Sequence, residues 1–143
     1  MDGEKIHEVA WGLANSKQPF LRAARPGIVH NSEWLEMLPN RFVEATRGRG
    51  MIIKWAPQQE IISHGAVGCF WTHNDWNSTL GSICKGVPMI CAPFFGDQLV
   101  NARYVSDVWS VGINLEKGLE REEIDCAIRK LMVEEVLMIT SFL

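Results

Sequence analysis

The segment that decides the fold is Val67–Thr79, which reads VGCFWTHNDWNST. Its first half, Val67–Trp71, is a short, mostly apolar run that predicts a β-strand. The polar residues that follow, Thr72–Asp75, lead directly into a helical pattern over residues 77–85. A strand that passes through a polar turn into a helix is the repeating unit of parallel α/β sheets.

The same unit recurs on both sides of this segment. Further strands are predicted at Pro19–Leu21, Met51–Trp55 and Pro88–Cys91. Helices are predicted from Ile6 to about Ser16, over 58–63, 97–108 and 120–135, with a helical turn around Trp34–Leu38. We therefore expect an α/β fold, a mostly parallel Rossmann-like sheet with helices on both faces.

Composition and charge narrow the class of protein. The 143 residues suffice for one domain, and 14 basic against 17 acidic residues give a net charge of −3. This balance argues against a nucleic-acid or membrane partner, because proteins that bind either usually carry more basic than acidic residues. No apolar run is long enough to span a bilayer, and we expect a cytoplasmic protein. Its four cysteines are expected to be reduced and mostly buried: Cys69, Cys84, Cys91 and Cys126.

The turn after the third predicted strand is a candidate binding site. Ligands of parallel sheets bind at the carboxyl ends of the strands, often against the N-terminus of a helix. The polar side chains over Thr72–Ser78 and the unpaired N–H groups of the following helix suit an anion such as a pyrophosphate. The simpler interpretation, favoured on spacing alone, is that Asn77 or Ser78 merely caps the helix.

Two further strand ends carry polar or aromatic side chains. Asp97 and Gln98 follow the strand Pro88–Cys91 and could hold sugar hydroxyls, although a helix cap at Asp97 is the favoured interpretation of this junction taken alone. Trp55 ends the strand Met51–Trp55, and Gln58 follows it. The indole could stack on a base, although a core tryptophan is the commoner explanation.

Taken together, these pieces resemble the signature box of plant family 1 UDP-glycosyltransferases. The box spans residues 55–98, and its matching parts are Trp55–Gln58, His64, Gly68–His73, Trp76–Ser78, Gly86–Met89 and Asp97–Gln98. The resemblance extends from about residue 4 to 135 and implies the C-terminal, donor-binding half of a GT-B enzyme. We therefore interpret residues 1–135 as a partial UDP-sugar-binding domain and 136–143 as an apolar tail unlike the family.

The resemblance implies a role for each matching position. Trp55 stacks on the uracil, the backbone of Ala56 binds its edge, and Gln58 lies near the ribose. The diphosphate is held by His73, Asn77 and Ser78, and the sugar by Trp76, Asp97 and Gln98. The expected donor is UDP-glucose, and the expected reaction is an inverting transfer to a hydroxyl or amine of a small plant metabolite, without a metal or other cofactor.

Two positions inside the box depart from the family pattern. Asp75 stands where the family has a glycine, and it places a negative charge beside a dianionic ligand. Gly81 stands where the family has a glutamate that binds both ribose hydroxyls. Asn74 replaces a cysteine or serine, which is a tolerated change.

No catalytic residue is expected in this chain. The family's catalytic histidine lies in an N-terminal domain that also forms the acceptor pocket, and His7 is expected to be a surface residue. The chain is therefore interpreted as a fragment. Two hypotheses follow: a donor-binding half that needs an acceptor half to act, or an inactive remnant or interaction partner that does not bind UDP.

Other chemistries fit the residues less well. A zinc site from His64, Cys69 and His73 lacks the spacing of a closed metal site. The glycines at 48 and 50 precede a strand instead of following one, so they are not a dinucleotide fingerprint. A nucleophilic pair of Ser78 and His73 lacks a supporting elbow motif.

Overall fold

The structure is a computed structural model that describes residues 3–23, 38–53 and 56–134, with side chains as far as Met132. Its elements, in chain order, are α1 (Gly3–Ser16), β1 (Phe20–Ala23), α2 (Phe42–Ala45), β2 (Gly50–Ile53), α3 (Gln58–Ile62), β3 (Phe70–Thr72), α4 (Trp76–Lys85), β4 (Met89–Cys91), α5 (Asp97–Arg103), β5 (Gly112–Asn114) and α6 (Arg121–Arg129). π-Helical turns at Tyr104–Val108 and Lys130–Glu134 extend α5 and α6. The helical turn predicted near Trp34 and the tail 136–143 lie outside the described residues.

Every strand pairing is parallel, which confirms the predicted α/β fold. β1 pairs with β2, while β3, β4 and β5 form a second sheet with β4 in the middle. In this second sheet Trp71, Ile90 and Ile113 lie side by side. The strands are thus divided between two sheets within the described residues, whereas the sequence predicted one.

Helices cover both faces of the central strand β4. Ile90 points to one face, where it joins a core built largely from α1 and α6. Its neighbours Met89 and Cys91 point to the opposite face and pack against Ala102 and Val105. All three strand residues are buried, as expected for a strand whose alternate side chains enter two different cores.

The helices α1 and α6 cross at a point where one residue must be small. A Cβ added to Gly12 would lie 2.7 Å from Cβ of Ile124 and 3.3 Å from the backbone oxygen of Arg121. Ile124 is fully buried, so it has no free space to move into. Gly12 therefore permits the close contact that buries this side of the core.

An ion pair also joins α1 to the start of α6. Glu8 accepts hydrogen bonds from the backbone N–H of Arg121 at 2.8 Å, from its Nε at 2.9 Å and from its Nη2. The guanidinium lowers the pKa of Glu8 and the carboxylate raises the pKa of Arg121. Because Glu120, the N-cap residue of α6, makes no side-chain capping bond, Glu8 supplies the cap from another helix.

Two elements were not predicted from the sequence, the strand β5 and the short helix α2. β5 has only three residues, and its first, Gly112, lies against the backbone oxygen of Met89 and the side chain of Val105. A Cβ there would lie 2.6 Å from Val105, so β5 depends on its contacts with β4 and the turn after α5. Local periodicity carries no signal for such a short segment.

The expectation that the cysteines are mostly buried was wrong. All four are free thiols; Cys91 is buried, but Cys84 and Cys126 are exposed on the outer faces of α4 and α6. Burial raises the pKa of Cys91 to about 12 and that of Cys69 to about 11. No helix in the described part of the chain has the length and apolar character of a membrane span.

Candidate functional site

The loops that follow β3 and β4 meet at the carboxyl edge of the sheet. Nδ1 of His73, in the first loop, lies 3.3 Å from the backbone oxygen of Ala92 in the second. The imidazole ring also contacts the ring of Phe94, with 4.7 Å between centroids. The two candidate segments identified in the sequence therefore form one edge, as parallel topology predicts.

Asn74 anchors this edge to α5. It is fully buried and has a left-handed backbone with φ of 64°, a conformation that asparagine tolerates better than most residues. Its N–H donates to Oγ1 of Thr72 at 3.1 Å, and its backbone oxygen accepts from Nδ2 of Asn101 at 2.8 Å. Asn101 was not among the predicted site residues; the signal for it is its position one turn after Asp97 on the inner face of α5.

Asp75 is the N-cap of α4. Its backbone is extended, and its carboxylate accepts from the N–H of Ser78 at 3.3 Å. The interpretation of Asn77 or Ser78 as the cap was therefore wrong. α4 begins at Trp76, one residue earlier than predicted, so the N-cap position belongs to Asp75. An N-cap side chain accepts from an N–H two or three residues later, which here is that of Ser78.

A hydrogen bond brings α3 to the same helix start. Nε2 of Gln58 donates to Oγ of Ser78 at 3.0 Å. Ser78 is buried, while Trp76 and Asn77 are exposed at the opening of the helix. The structure thus joins Gln58 to the first turn of α4, although 20 residues separate the two bonded side chains.

The second loop presents aromatic and polar groups beside the first. Phe94 and Phe95 are exposed, and the N–H of Phe94 donates to Oε1 of Gln98 at 3.0 Å. The N-cap of α5 is Gly96, with φ of 60°, and Asp97 is the first helical residue with an exposed side chain. The interpretation of Asp97 as the cap was therefore wrong.

The remaining predicted residues precede α3 in the sequence or belong to α4. Trp55 falls outside the described residues, and Ala56 is half-buried just before α3. Gly81 lies in the second turn of α4, where the carboxamide of Gln59 packs directly against it. Sequence reasoning missed Gln59, because no local pattern shows that its side chain reaches Gly81 on α4.

The other histidines lie away from this edge. His7 is exposed on α1, as predicted. His64 is exposed after α3, and its Nδ1 accepts from the N–H of Ala66 at 3.1 Å. Within residues 3–23, 38–53 and 56–134, no three His, Cys, Asp or Glu side chains are grouped closely enough to hold a metal ion.

The edge as a whole has the chemistry of an anion site. The first N–H groups of α4 carry the partial positive charge of the helix dipole, and the neighbouring residues of the sequence include His73, Asn77 and Ser78, although the carboxylate of Asp75 already accepts from one of these N–H groups. The family described as UDP-glucoronosyl and UDP-glucosyl transferase matches this chain over residues 1–140. The chain belongs to this family. Its resemblance to the C-terminal half of a plant family 1 UDP-glycosyltransferase is thereby confirmed.

The relatives of this UDP-glycosyltransferase chain include Arabidopsis thaliana enzymes. UDP-glycosyltransferase 76C4 is 57% identical over 130 residues, which are 91% of this chain and 29% of the relative. Flavonol 3-O-glucosyltransferase UGT76E12 is 54% identical over 135 residues, 94% of this chain and 30% of the relative. The chain therefore spans about three-tenths of the length of these relatives.

Solved structures of glycosyltransferases have the same fold. The crystal structure of Os79 from O. sativa, in complex with UDP and deoxynivalenol-3-glucoside, covers 99% of this chain with a TM-score of 0.86 and 34% identity. That of TcCGT1 in complex with UDP also covers 99%, with a TM-score of 0.88 and 30% identity. The chain covers 32% and 34% of those proteins, respectively. The GT-B, Rossmann-like assignment is thereby confirmed.

Proposed function

We propose that this chain is the donor-binding part of a UDP-glycosyltransferase and binds a UDP-sugar, UDP-glucose in particular. The observation that carries the proposal is the meeting of the β3–α4 and β4–α5 loops around the N-terminus of α4. The UDP complexes of Os79 and TcCGT1, which share this fold, support the choice of ligand.

Each site residue has a proposed contact with the donor. The uracil stacks on Trp55 and pairs with the backbone of Ala56, and the ribose lies near Gln58. The exposed start of α4 receives the diphosphate through His73, Asn77 and Ser78. The sugar contacts Trp76, Asp97 and Gln98, which lie at or beside the two helix starts.

The chemistry proposed for this part of the protein is stabilisation of the leaving group. When the sugar moves to an acceptor hydroxyl or amine with inversion, negative charge develops on the departing diphosphate. The dipole of α4 and fixed hydrogen-bond donors balance that charge without a metal ion. The catalytic base and the acceptor pocket are proposed to lie in the seven-tenths of the relatives' length that this chain does not span.

Calorimetric titration of UDP into the purified chain tests this proposal, after cooperative unfolding has been checked. We expect UDP to bind and ADP to bind far more weakly, because the base would contact Trp55 and Ala56. We also expect no glucosyl transfer by the chain alone. Absence of UDP binding by the folded chain would contradict the proposal.

A second candidate function rests on Asp75. Its carboxylate already accepts a hydrogen bond from the N–H of Ser78, one of the donors that a phosphate would use. On this hypothesis the chain is an inactive remnant, or an interaction partner of intact relatives, and does not bind UDP. Binding by an Asp75→Gly, Gly81→Glu variant, but not by the natural chain, would favour it. The cytoplasmic location stays a prediction under both hypotheses.

A further inference from the structure

The carboxamide of Gln59 fills the space where a side chain at position 81 would begin. A Cβ added to Gly81 would overlap Nε2 of Gln59 and would lie 2.9 Å from its Oε1 and 3.1 Å from its Cδ. A side chain at position 81 and the observed position of Gln59 are therefore mutually exclusive.

Gly81 lies inside a regular helix, where no turn or positive φ requires a glycine. In such a position glycine destabilises a helix relative to alanine. Close approach of another group is the usual reason for it. Here the approaching group is the polar end of the exposed Gln59 side chain, which occupies the space that Gly81 leaves on α4; we call this position the seat of Gln59.

This seat has a defined place relative to the proposed donor site. Gln58, the preceding residue of α3, bonds to Ser78 in the first turn of α4. Gly81 is three residues further along α4, about 4.5 Å down the helix axis at 1.5 Å per residue. The Gln59 carboxamide therefore lies one helical turn from the proposed diphosphate position, on the side of α3, the helix that Ala56 precedes.

The group between the base and the diphosphate of a nucleotide is its ribose, with two adjacent hydroxyls. A carboxamide carries both an acceptor oxygen and two donor hydrogens, so it can accept from one hydroxyl and donate to the other. We propose that Gln59, seated on Gly81, is the residue through which this chain recognises the ribose hydroxyls. This inference rests on the proposed function, because it requires that UDP bind.

The test compares UDP with 2′-deoxy-UDP by calorimetry. We expect the natural chain to prefer UDP by about three- to tenfold, the net effect of one hydrogen bond made by an exposed side chain. The Gln59→Ala variant is expected to lose this preference. Gly81→Ala should lose it as well, because the new Cβ displaces the carboxamide, and the double variant should show no further loss.

The control is Glu60→Ala, which changes an exposed neighbour of Gln59 on the same helix and should keep the preference for UDP. If Gln59→Ala binds UDP and still prefers it to the deoxy ligand as strongly as the natural chain, the inference is wrong and the proposed function stands. If the folded natural chain does not bind UDP, the proposed function fails, and this inference fails with it.

Discussion

The carboxylate of Asp75 accepts a hydrogen bond from the backbone N–H of Ser78 at 3.3 Å, closing the first turn of α4. The same serine accepts a second bond at its Oγ, from Gln58 at 3.0 Å. The backbone N–H of Ser78 is therefore already bonded within the chain, whereas its hydroxyl accepts a bond from Gln58 and keeps its own hydrogen to donate. An anionic ligand at this helix start has to replace the Asp75 carboxylate or bind beside it.

We predict that Asp75→Gly raises the affinity for UDP about tenfold, because it removes a like charge and frees an N–H at the positive end of the helix. The helix itself should lose only a few tenths of a kcal/mol, since glycine is also an acceptable N-cap. Calorimetry with UDP at constant ionic strength measures the change.

Asp75 could oppose the ligand through its negative charge or because it already binds the N–H of Ser78. The matched variant Asp75→Asn separates these two effects, because asparagine caps the helix equally well but has no charge. If repulsion dominates, both variants bind UDP more tightly than the natural chain. If occupancy of the Ser78 N–H dominates, only the glycine variant does. Unchanged affinity in both variants would show that Asp75 does not oppose the ligand.

Asn101 is predicted to hold the β3–α4 loop in place. Replacing it with alanine leaves the buried backbone oxygen of Asn74 without its 2.8 Å partner, and we expect a loss of about 1–3 kcal/mol in the free energy of unfolding. Urea unfolding followed by circular dichroism measures this loss.

Asn77→Ala serves as the control for Asn101→Ala. Asn77 is exposed at the start of α4, so its removal should change stability by no more than about 0.5 kcal/mol while weakening UDP binding. Equal stability losses in the two variants would contradict the anchoring role of Asn101.

The crossing of α1 and α6 is predicted to be intolerant of a larger residue at position 12. We expect Gly12→Ala to cost about 1–3 kcal/mol, because the added methyl overlaps the buried, branched side chain of Ile124. The melting temperature reports the effect. Gly65→Ala is the control, since a Cβ there meets nothing within 4 Å, and a Gly12→Ala variant as stable as this control would refute the prediction.

The Glu8–Arg121 pair should make stability depend on pH. Because the pKa of Glu8 is lowered in the folded chain, its contribution is fully present above the ordinary value of 4.5 and is lost as the pH falls through the lowered value. We expect Glu8→Gln to be about 1 kcal/mol less stable than the natural chain at pH 7, as for a partly exposed ion pair that also caps a helix.

This difference should disappear at pH values below the lowered pKa, where Glu8 is protonated in the natural chain as well. Unfolding measured from pH 7 down to pH 3 follows the change. Glu116→Gln, at an exposed carboxylate, is the control. A stability difference that does not vary with pH would show that the ion pair does not contribute.

Most of the helices and strands could be predicted because their signals are local. The first predicted helix, from Ile6 to about Ser16, is α1, and its apolar residues Ile6, Val9 and Leu13, which recur at helical spacing, are all buried. The strand β4 followed from a short apolar run after Pro88. Such patterns can be recognised without the rest of the chain. A helix with one face toward the core has apolar residues at helical spacing, and a strand buried on both faces is a continuous apolar run.

The cap of α4 shows where local reasoning failed. The sequence indicated a helix with polar residues at its start, but which of them is the N-cap depends on the residue at which the helix begins. The periodicity of apolar residues locates such a boundary only to within a few positions. Because the helix begins one residue earlier than predicted, the N-cap is Asp75, and its carboxylate binds the N–H of Ser78.

The sequence by itself determined the alternation of strands and helices and the polar residues at the strand ends, because each depends on neighbours within one or two turns. Only the tertiary structure decided which distant groups touch: Asn101 on Asn74, Gln59 on Gly81 and Glu8 on Arg121. Each of these contacts joins segments that approach only when helices pack on the sheet or on one another. Their geometry follows from close packing, in which one missing Cβ or one hydrogen bond selects the partner.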